Sequence, residues 1–296
     1  MKSNNSAFEI INGKFHVNVR WLLVYTLMLA LVAFTALPLI YLISTAFKPY
    51  EELFLFPPRF FVRRPTFKNF TDLVISMSGT TVPFTRYIFN SLFVTVINVT
   101  LTILVSSMGA YAISKHKIPG SGIVFAIVIG ALTFPPDVVR IPTYMTVASL
   151  GVLNTYWALI ITHIAVPYNF FLMKQFIDQF PNELLESARM DGASELSTFW
   201  KIVMPAVKPA WATLLVFSFT ANWNDSTSAM IYTNKQAMKV LPLALQTIAG
   251  GAAASSLARA GASAAASFIM TAPTVIIFVT MQAQVMQTMA YSGIKS

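Results

Sequence analysis

About six stretches of this chain carry roughly 20 predominantly apolar residues each, and that pattern narrows the possible folds more than any other feature. A backbone in lipid has no water to bond to, so a segment of this kind is stable only as a helix whose amides pair internally. The stretches run from Trp21 to Phe47, from about Tyr87 to Ser114, and from about Ile123 into the Pro135-Pro136 pair. They continue from about Tyr156 to Ile177, from about Ala210 to Ile231, and from about Ala265 to Met289, the last interrupted by Pro273. The expected fold class is all-α, a polytopic membrane protein with about six transmembrane helices. Composition agrees: of 296 residues 56% are hydrophobic and only 10% charged, with a mean hydropathy of +0.65. The first stretch follows Lys14 and Arg20 and is too long for a cleaved leader, so it reads as a retained anchor.

The absence of Cys excludes disulfides, thiolate metal sites and cysteine nucleophiles. The net charge of +9 comes from Lys and Arg spread over the connections rather than gathered in a stripe, which argues against a nucleic-acid partner. Those 20 basic residues divide equally between the two faces of the six-span topology, so the whole-chain count does not orient it. Locally, Lys14 and Arg20 outweigh Lys48 with its neighbours Glu51 and Glu52, which places the N-terminus inside; an even number of spans places the C-terminus there too. The resulting division is a cytoplasmic segment 1–20, a transmembrane region 21–291 with an external loop 48–86, and a cytoplasmic tail 292–296.

One connection does not look like the rest. Between the fourth and fifth spans, residues 181–209 are amphipathic and turn-rich. Asn182 is placed to cap a short helix, Glu183 sits in its positive first turn, and Gly192 is placed to end it in the left-handed conformation. After Ser194 as a second cap, Leu196, Phe199, Trp200 and Val203 fall on one helical face before Pro205. The pattern suits two short helices joined at a glycine. They either pack on the chain's own spans or dock another protein.

The run Glu186, Ser187, Ala188, three residues, Gly192, nine residues, Ile202, one residue, Met204, Pro205 resembles the cytoplasmic EAA loop of permease subunits in binding-protein-dependent ATP-binding cassette importers. Ser187 stands where the middle Ala is usual and Met204 where Leu is usual. "STAFKP", "RYIFNSL", "YAISKHKIPG", "IPTYMTVASLGVLNT" and the terminal "SGIKS" are similar to further family segments in the same order, pointing to the maltose-type sugar permease branch. The resemblance implies a type I importer permease fold in a bacterial cell membrane. It implies a second homologous permease, two ATP-binding subunits and an extracellular solute-binding protein as partners, besides membrane lipid. It assigns ATPase coupling to Glu186, Ser187, Ala188, Asp191, Gly192, Ala193 and Lys295, and it implies carbohydrate, most readily an oligosaccharide, as solute.

No G-x-x-x-x-G-K-[ST] run is present, so the chain has no phosphate-cradling loop and is not expected to be the ATPase. No cofactor, metal set or catalytic constellation is apparent. His16, His116 and His163 are isolated in sequence, and His163 alone falls within a span, without a visible acid partner. A sugar path needs hydroxyl partners, and Asn222, Trp223, Asn224, Asn98 and Asn169 are the candidates, with Gln282 and Gln284 as further amides in the last span. Trp223 also suits an interfacial belt. The basic residues Arg59, Arg63 and Arg64 suit either a receptor surface or a lipid-headgroup anchor. The small-residue run Ala249–Ser267 suits an external loop at first and a close-packed helix start in its later half. Alternatives to a sugar permease are a permease for another solute, an ion-coupled carrier, for which only Asp225 is a plausible membrane carboxylate, and an intramembrane enzyme.

Overall fold

The computed structural model describes residues 8–11, 14–17, 19–78, 82–250 and 256–293. Its elements are almost all helical, after a two-stranded antiparallel hairpin, β1 (Phe8–Ile11) and β2 (Lys14–Val17), that pairs Phe8 with Val17. The helices are α1 (Val19–Ala46), α2 (Tyr50–Leu53), α3 (Lys68–Ser78), α4 (Phe84–Lys115), α5 (Ser121–Ala131), α6 (Pro136–Ser149), α7 (Tyr156–Ile164), α8 (Pro167–Asp178) and α9 (Asn182–Met190). There follow α10 (Glu195–Thr198), a π-helical turn (Phe199–Val203), α11 (Met204–Ala206), α12 (Lys208–Trp223), α13 (Thr227–Tyr232), α14 (Leu241–Gly250) and α15 (Ser256–Gly293).

Three helices, α1, α4 and α15, are individually long and apolar enough to cross a membrane among the described residues. Two of the other three spans are broken, and the fifth begins at a bend. The third is α5 bent by 112° against α6, and the fourth is α7 bent by 43° against α8. At the entry to the fifth, the segment Glu195–Ala206 of the connection meets Lys208–Trp223 at 78°. α5 alone, with 11 residues, is about 16 Å long, well short of a bilayer core of about 30 Å. Proline accounts for two of the breaks: Pro136 and Pro167 each open a new helix and force the residue before them out of the helical region. Pro38 and Pro273, by contrast, are absorbed within α1 and α15. The fifth span also ends earlier than its hydropathy suggests, because α12 stops at Trp223 and α13 begins at Thr227.

The chain forms two compact units. The first comprises Met1–Leu73 and Ala253–Phe268. Its loop after α1 is built around buried polar groups: Asn69 Nδ2 donates to the carbonyls of Ala46 and Lys48 at 2.9 and 2.8 Å, satisfying the open end of α1. The Glu52 carboxylate accepts the backbone N–H groups of Arg63 and Arg64, and the buried Lys48 ammonium donates to the Arg59 carbonyl. The guanidinium-bearing residues Arg59, Arg63 and Arg64 thus lie exposed on a loop whose backbone is pinned from within. A Cβ at Gly261 would collide with the Asn69 side chain, so the later half of the small-residue run is a close-packed helix start.

The second unit, Val74–Ala252 and Ile269–Ser296, is organised by α4. One face of this helix buries Tyr87, Asn90, Ser91, Thr95, Asn98, Thr102, Ser106, Ser107 and Tyr111 at three- and four-residue spacing. Lipid supplies no hydrophobic drive for helices to associate, so polar bonds between segments carry much of the specificity. Asn90 Nδ2 donates to the carbonyls of Ala237 and Lys239, its Oδ1 accepts from Tyr156, Ser91 Oγ accepts from Leu241 N–H, and Tyr87 accepts from Gln236. The "RYIFNSL" run is therefore the anchor for the 236–241 segment. Deeper along the helix, Asn98 Nδ2 donates to the Leu159 carbonyl and to Asn222 Oδ1, and Thr102 donates to the His163 carbonyl.

Asn90→Ala should strand the Lys239 carbonyl and leave the Ala237 carbonyl and the Tyr156 hydroxyl with Arg86 alone, and is expected to cost about 2 kcal/mol, read as a fall in the thermal-unfolding midpoint of detergent-purified protein.

Candidate functional site

The connection from Pro181 to Pro209 forms a compact knob. α9 has no side-chain N-cap; Pro181 precedes it, and Asn182, expected as the cap, turns its Oδ1 to Lys115 Nζ at 3.0 Å. The same ammonium donates to the Phe180 carbonyl, so the end of α4 fixes the entry to α9. The exit is a Schellman turn: Ala193 N–H reaches the Ala188 carbonyl, Gly192 N–H reaches that of Arg189, and Gly192 has φ +77°. Ser194 accepts from Ser197 N–H and caps α10. Pro205 does not end the next helix. Its missing N–H is accommodated by the π turn, in which Met204 N–H bonds to Phe199 O, and the helix runs to Ala206.

Burial divides the knob's residues sharply. Leu185, at 3% exposure, joins Phe199, Val203, Met204 and Val207 in a core shared with Tyr111 of α4, Met173 and Ile177 of α8, and Ala210 and Leu214 of α12. Ala188, 6% exposed, is small enough for α9 to lie close. Glu186, Ser187, Asp191 and Gly192 are exposed, and Ala193 is half-buried. Ser187 bonds back to the Glu183 carbonyl, whereas Glu186 makes no hydrogen bond or ion pair among the described residues. Met190 stands 83% exposed, and of the face expected on the second helix only Phe199 and Val203 are buried, while Leu196 and Trp200 remain open. Lys295 lies outside the described residues.

The sequence reading missed Glu195. Its Oε1 accepts from Arg189 Nε at 3.0 Å, its Oε2 accepts from the Tyr111 hydroxyl at 3.0 Å, and His116 Nε2 lies 3.6 Å away. Desolvation works to raise the Glu195 pKa, but hydrogen bonds from Tyr111 and Arg189, with the charges of Arg189 and His116, outweigh it and hold the carboxyl below its ordinary value. Arg189 and Glu195 are six residues apart across a glycine turn, a signal present in the sequence; Tyr111 is 84 residues away and carried none.

A second feature is a polar cleft of about 470 Å³ lined by Arg140, Thr143, Thr162, His163, Thr220 and Asn224, among others. His163 has the acid partner that the sequence did not reveal: its Nε2 lies 3.3 Å from Asp225 Oδ2, and Asp225 Oδ1 caps the start of α13 by accepting from Ser228 N–H. Of the five residues considered for a solute path, only Asn224 lines this cleft. Asn98 and Asn222 face each other at 2.7 Å beside a cavity of about 10 Å³. Asn169 donates to Ser218 Oγ between α8 and α12. Trp223 is buried, with its Nε1 on the Met270 carbonyl, so it is not an interfacial belt residue. Asn98, Asn169 and Trp223 thus join helices rather than face the opening. Gln282 is exposed and not a buried amide.

This arrangement of broken spans around a glycine-hinged knob has relatives. Residues 10–291 match the family described as binding-protein-dependent transport system inner membrane component. The chain belongs to that family. The permease is 35% identical over 221 residues to Protein LplC of Bacillus subtilis (strain 168), covering 73% of this chain and 71% of that one. It is 31% identical over 232 residues to the polygalacturonan/rhamnogalacturonan transport system permease protein YtcP of the same organism, covering 77% of each. It is 29% identical over 240 residues to the arabinooligosaccharides transport system permease protein AraQ of Halalkalibacterium halodurans, covering 77% and 81%. In fold, it resembles a chain from the crystal structure of a bacterial ABC transporter involved in the import of the acidic polysaccharide alginate, with a TM-score of 0.77 and 21% identity over 91% of the permease and 99% of that chain.

A Cβ at Gly192 would meet no atom within 4 Å, so the demand on this position is conformational rather than steric. Gly192→Val should cost about 1 to 2 kcal/mol, and Gly192→Asn, which tolerates the left-handed region, much less. Amide hydrogen exchange at Ala193 and Ser194 should separate the two variants in that order.

Proposed function

We propose that this permease is one of two homologous membrane subunits of an ATP-binding cassette importer for carbohydrate, most readily an oligosaccharide, and that residues 181–209 are the cytoplasmic element gripped by the ATP-binding subunits. Both termini lie inside in this reading, with residues 1–20 and 292–296 in the cytoplasm and residues 48–86 outside, where Arg59, Arg63 and Arg64 meet the extracellular solute-binding protein. Lys295, in the tail, is a further contact to the ATP-binding side.

The observation that carries the reading is the division within α9. Leu185 and Ala188 tie the helix to a core that includes α4, α8 and α12, while Glu186 and Met190 face outward with no intramolecular use. A helix held on one side by its own membrane helices and open on the other is suited to pass a partner's rigid-body motion to those helices. Glu186 supplies a charge for a basic group of the partner, Ser187 and Ala188 keep the helix slim, and the Asp191, Gly192 and Ala193 turn returns the chain sharply to the membrane. Carbohydrate is supported by the names of the relatives and by a cleft lined by several Thr, Ser and Tyr hydroxyls, on which Asn224 is the path residue best placed to contact solute.

Glu186→Arg should lower co-purification of the ATP-binding subunits by about tenfold while the permease still inserts. Because the chain has no Cys, a single cysteine at Arg189 can be labelled cleanly, and labelling from the outside of intact cells would overturn the topology. Asn224→Ala should weaken uptake of the solute retained by the purified receptor, with chromatography of that solute deciding between a saccharide and another class.

A further inference from the structure

Glu195 lies at the one place where both short arms of the knob and the end of α4 meet. Its two carboxylate oxygens serve different elements: Oε1 takes the Arg189 guanidinium from the last turn of α9, with Arg189 Nη2 at 2.9 Å, and Oε2 takes the Tyr111 hydroxyl from α4. Glu195 itself belongs to the first turn of α10. One side chain therefore ties together α9, α10 and α4. Around it, the Tyr111 ring stands edge-on to His116 and packs on Phe199, with ring centroids 5.4 Å apart in each case, so the hydroxyl is held in place from both sides. Tyr111 is also the last buried member of the polar face through which α4 bonds to α7, α12 and the 236–241 segment.

We propose that Glu195 is a positioning residue for energy coupling: its bridge from Arg189 to Tyr111 makes α9 and α4 move as one body when the ATP-binding subunits close. Lys115 fixes the entry of α9, but along the rest of the helix Leu185 and Ala188 give apolar contact, which resists separation and offers little resistance to rotation about that entry; hydrogen bonds of fixed direction on both sides of one carboxylate at the exit supply that resistance. The bridge also occupies Arg189, leaving the carboxylates of Glu183 and Glu186 as the charges on α9 without an ion pair among the described residues. This inference rests on the coupling-loop reading above.

The test uses the complete importer in nanodiscs, with spin labels on cysteines introduced at Met190 on α9 and at Lys117 just beyond α4, both exposed in a chain without native Cys. The 190–117 distance is measured without nucleotide and after trapping with ADP and vanadate. In the parent protein a single narrow distance should persist in both states. In Glu195→Ala a second distance should appear on trapping, its population rising at least about fivefold, with Tyr111→Phe changing in the same direction and Glu195→Asp retaining the single distance. An unchanged single distance in Glu195→Ala overturns the proposal. So does a Glu195→Ala variant that fails to assemble together with a Tyr111→Phe variant that behaves like the parent, because the bridge would then be structural only. A Met190 label that stays mobile when the ATP-binding subunits are added removes the coupling-loop reading itself, and this inference with it.

Discussion

The polar face of α4 is the constraint on which the second unit depends. In water, burying nine Asn, Ser, Thr and Tyr residues along one helix would be a poor way to hold a core; between helices surrounded by lipid, where apolar contact gains nothing over lipid contact, it is an effective one. Asn90, Ser91, Asn98 and Thr102 each reach a backbone group of another segment, so they fix register as well as proximity. They also satisfy carbonyls left open by breaks. Thr102 bonds to the His163 carbonyl at the end of α7, where the helix unwinds before Pro167 and its carbonyls lose their intrahelical donors, and Asn98 bonds to Leu159 one turn earlier. Broken spans and a polar central helix are two sides of one solution.

The same helix ends in the knob. Lys115 holds the entry to α9, and Tyr111 meets Glu195 at its exit, so the segment proposed to meet the ATP-binding subunits is attached at two points to the helix that organises the membrane part. The apolar contacts beneath, from Leu185 to Phe199 and Val203, give adhesion. Glu186 and Met190, with Leu184, Leu196 and Trp200, are the exposed side chains that the proposed recognition would use. The proposed coupling needs no flexible wire, since a short helix on a firm support transmits a push as displacement.

Much of this was legible in the sequence, and the reasons for the failures are physical. Hydropathy located the apolar stretches, but the third and fourth proved to be bent pairs and the fifth helix stops at Trp223, because hydropathy averages over a proline or an Asn-Asp step that ends a helix. Gly192 and Ser194 were readable as a left-handed stop and a cap because those roles are local. Asn182, expected as a cap, meets Lys115 instead, and Asn98, Asn169 and Trp223, considered for a solute path, bond between helices, because an amide or indole near a helix end has several possible partners and only the fold decides which one arrives. His163 lacked a partner in sequence because Asp225 lies 62 positions away.

Local chemistry, then, determined by itself that this chain crosses a membrane several times, that a turn-rich amphipathic knob separates the fourth and fifth apolar stretches, and that its glycine must turn left-handed. Backbone satisfaction in lipid and φ preference act within a few residues, and a sequence displays both. Which side chains meet was decided only in the folded state: the Glu195 bridge, the His163–Asp225 pair and the anchoring of the 236–241 segment to α4 all join residues far apart along the chain. Their geometry comes from how the broken helices pack, and no periodicity encodes it.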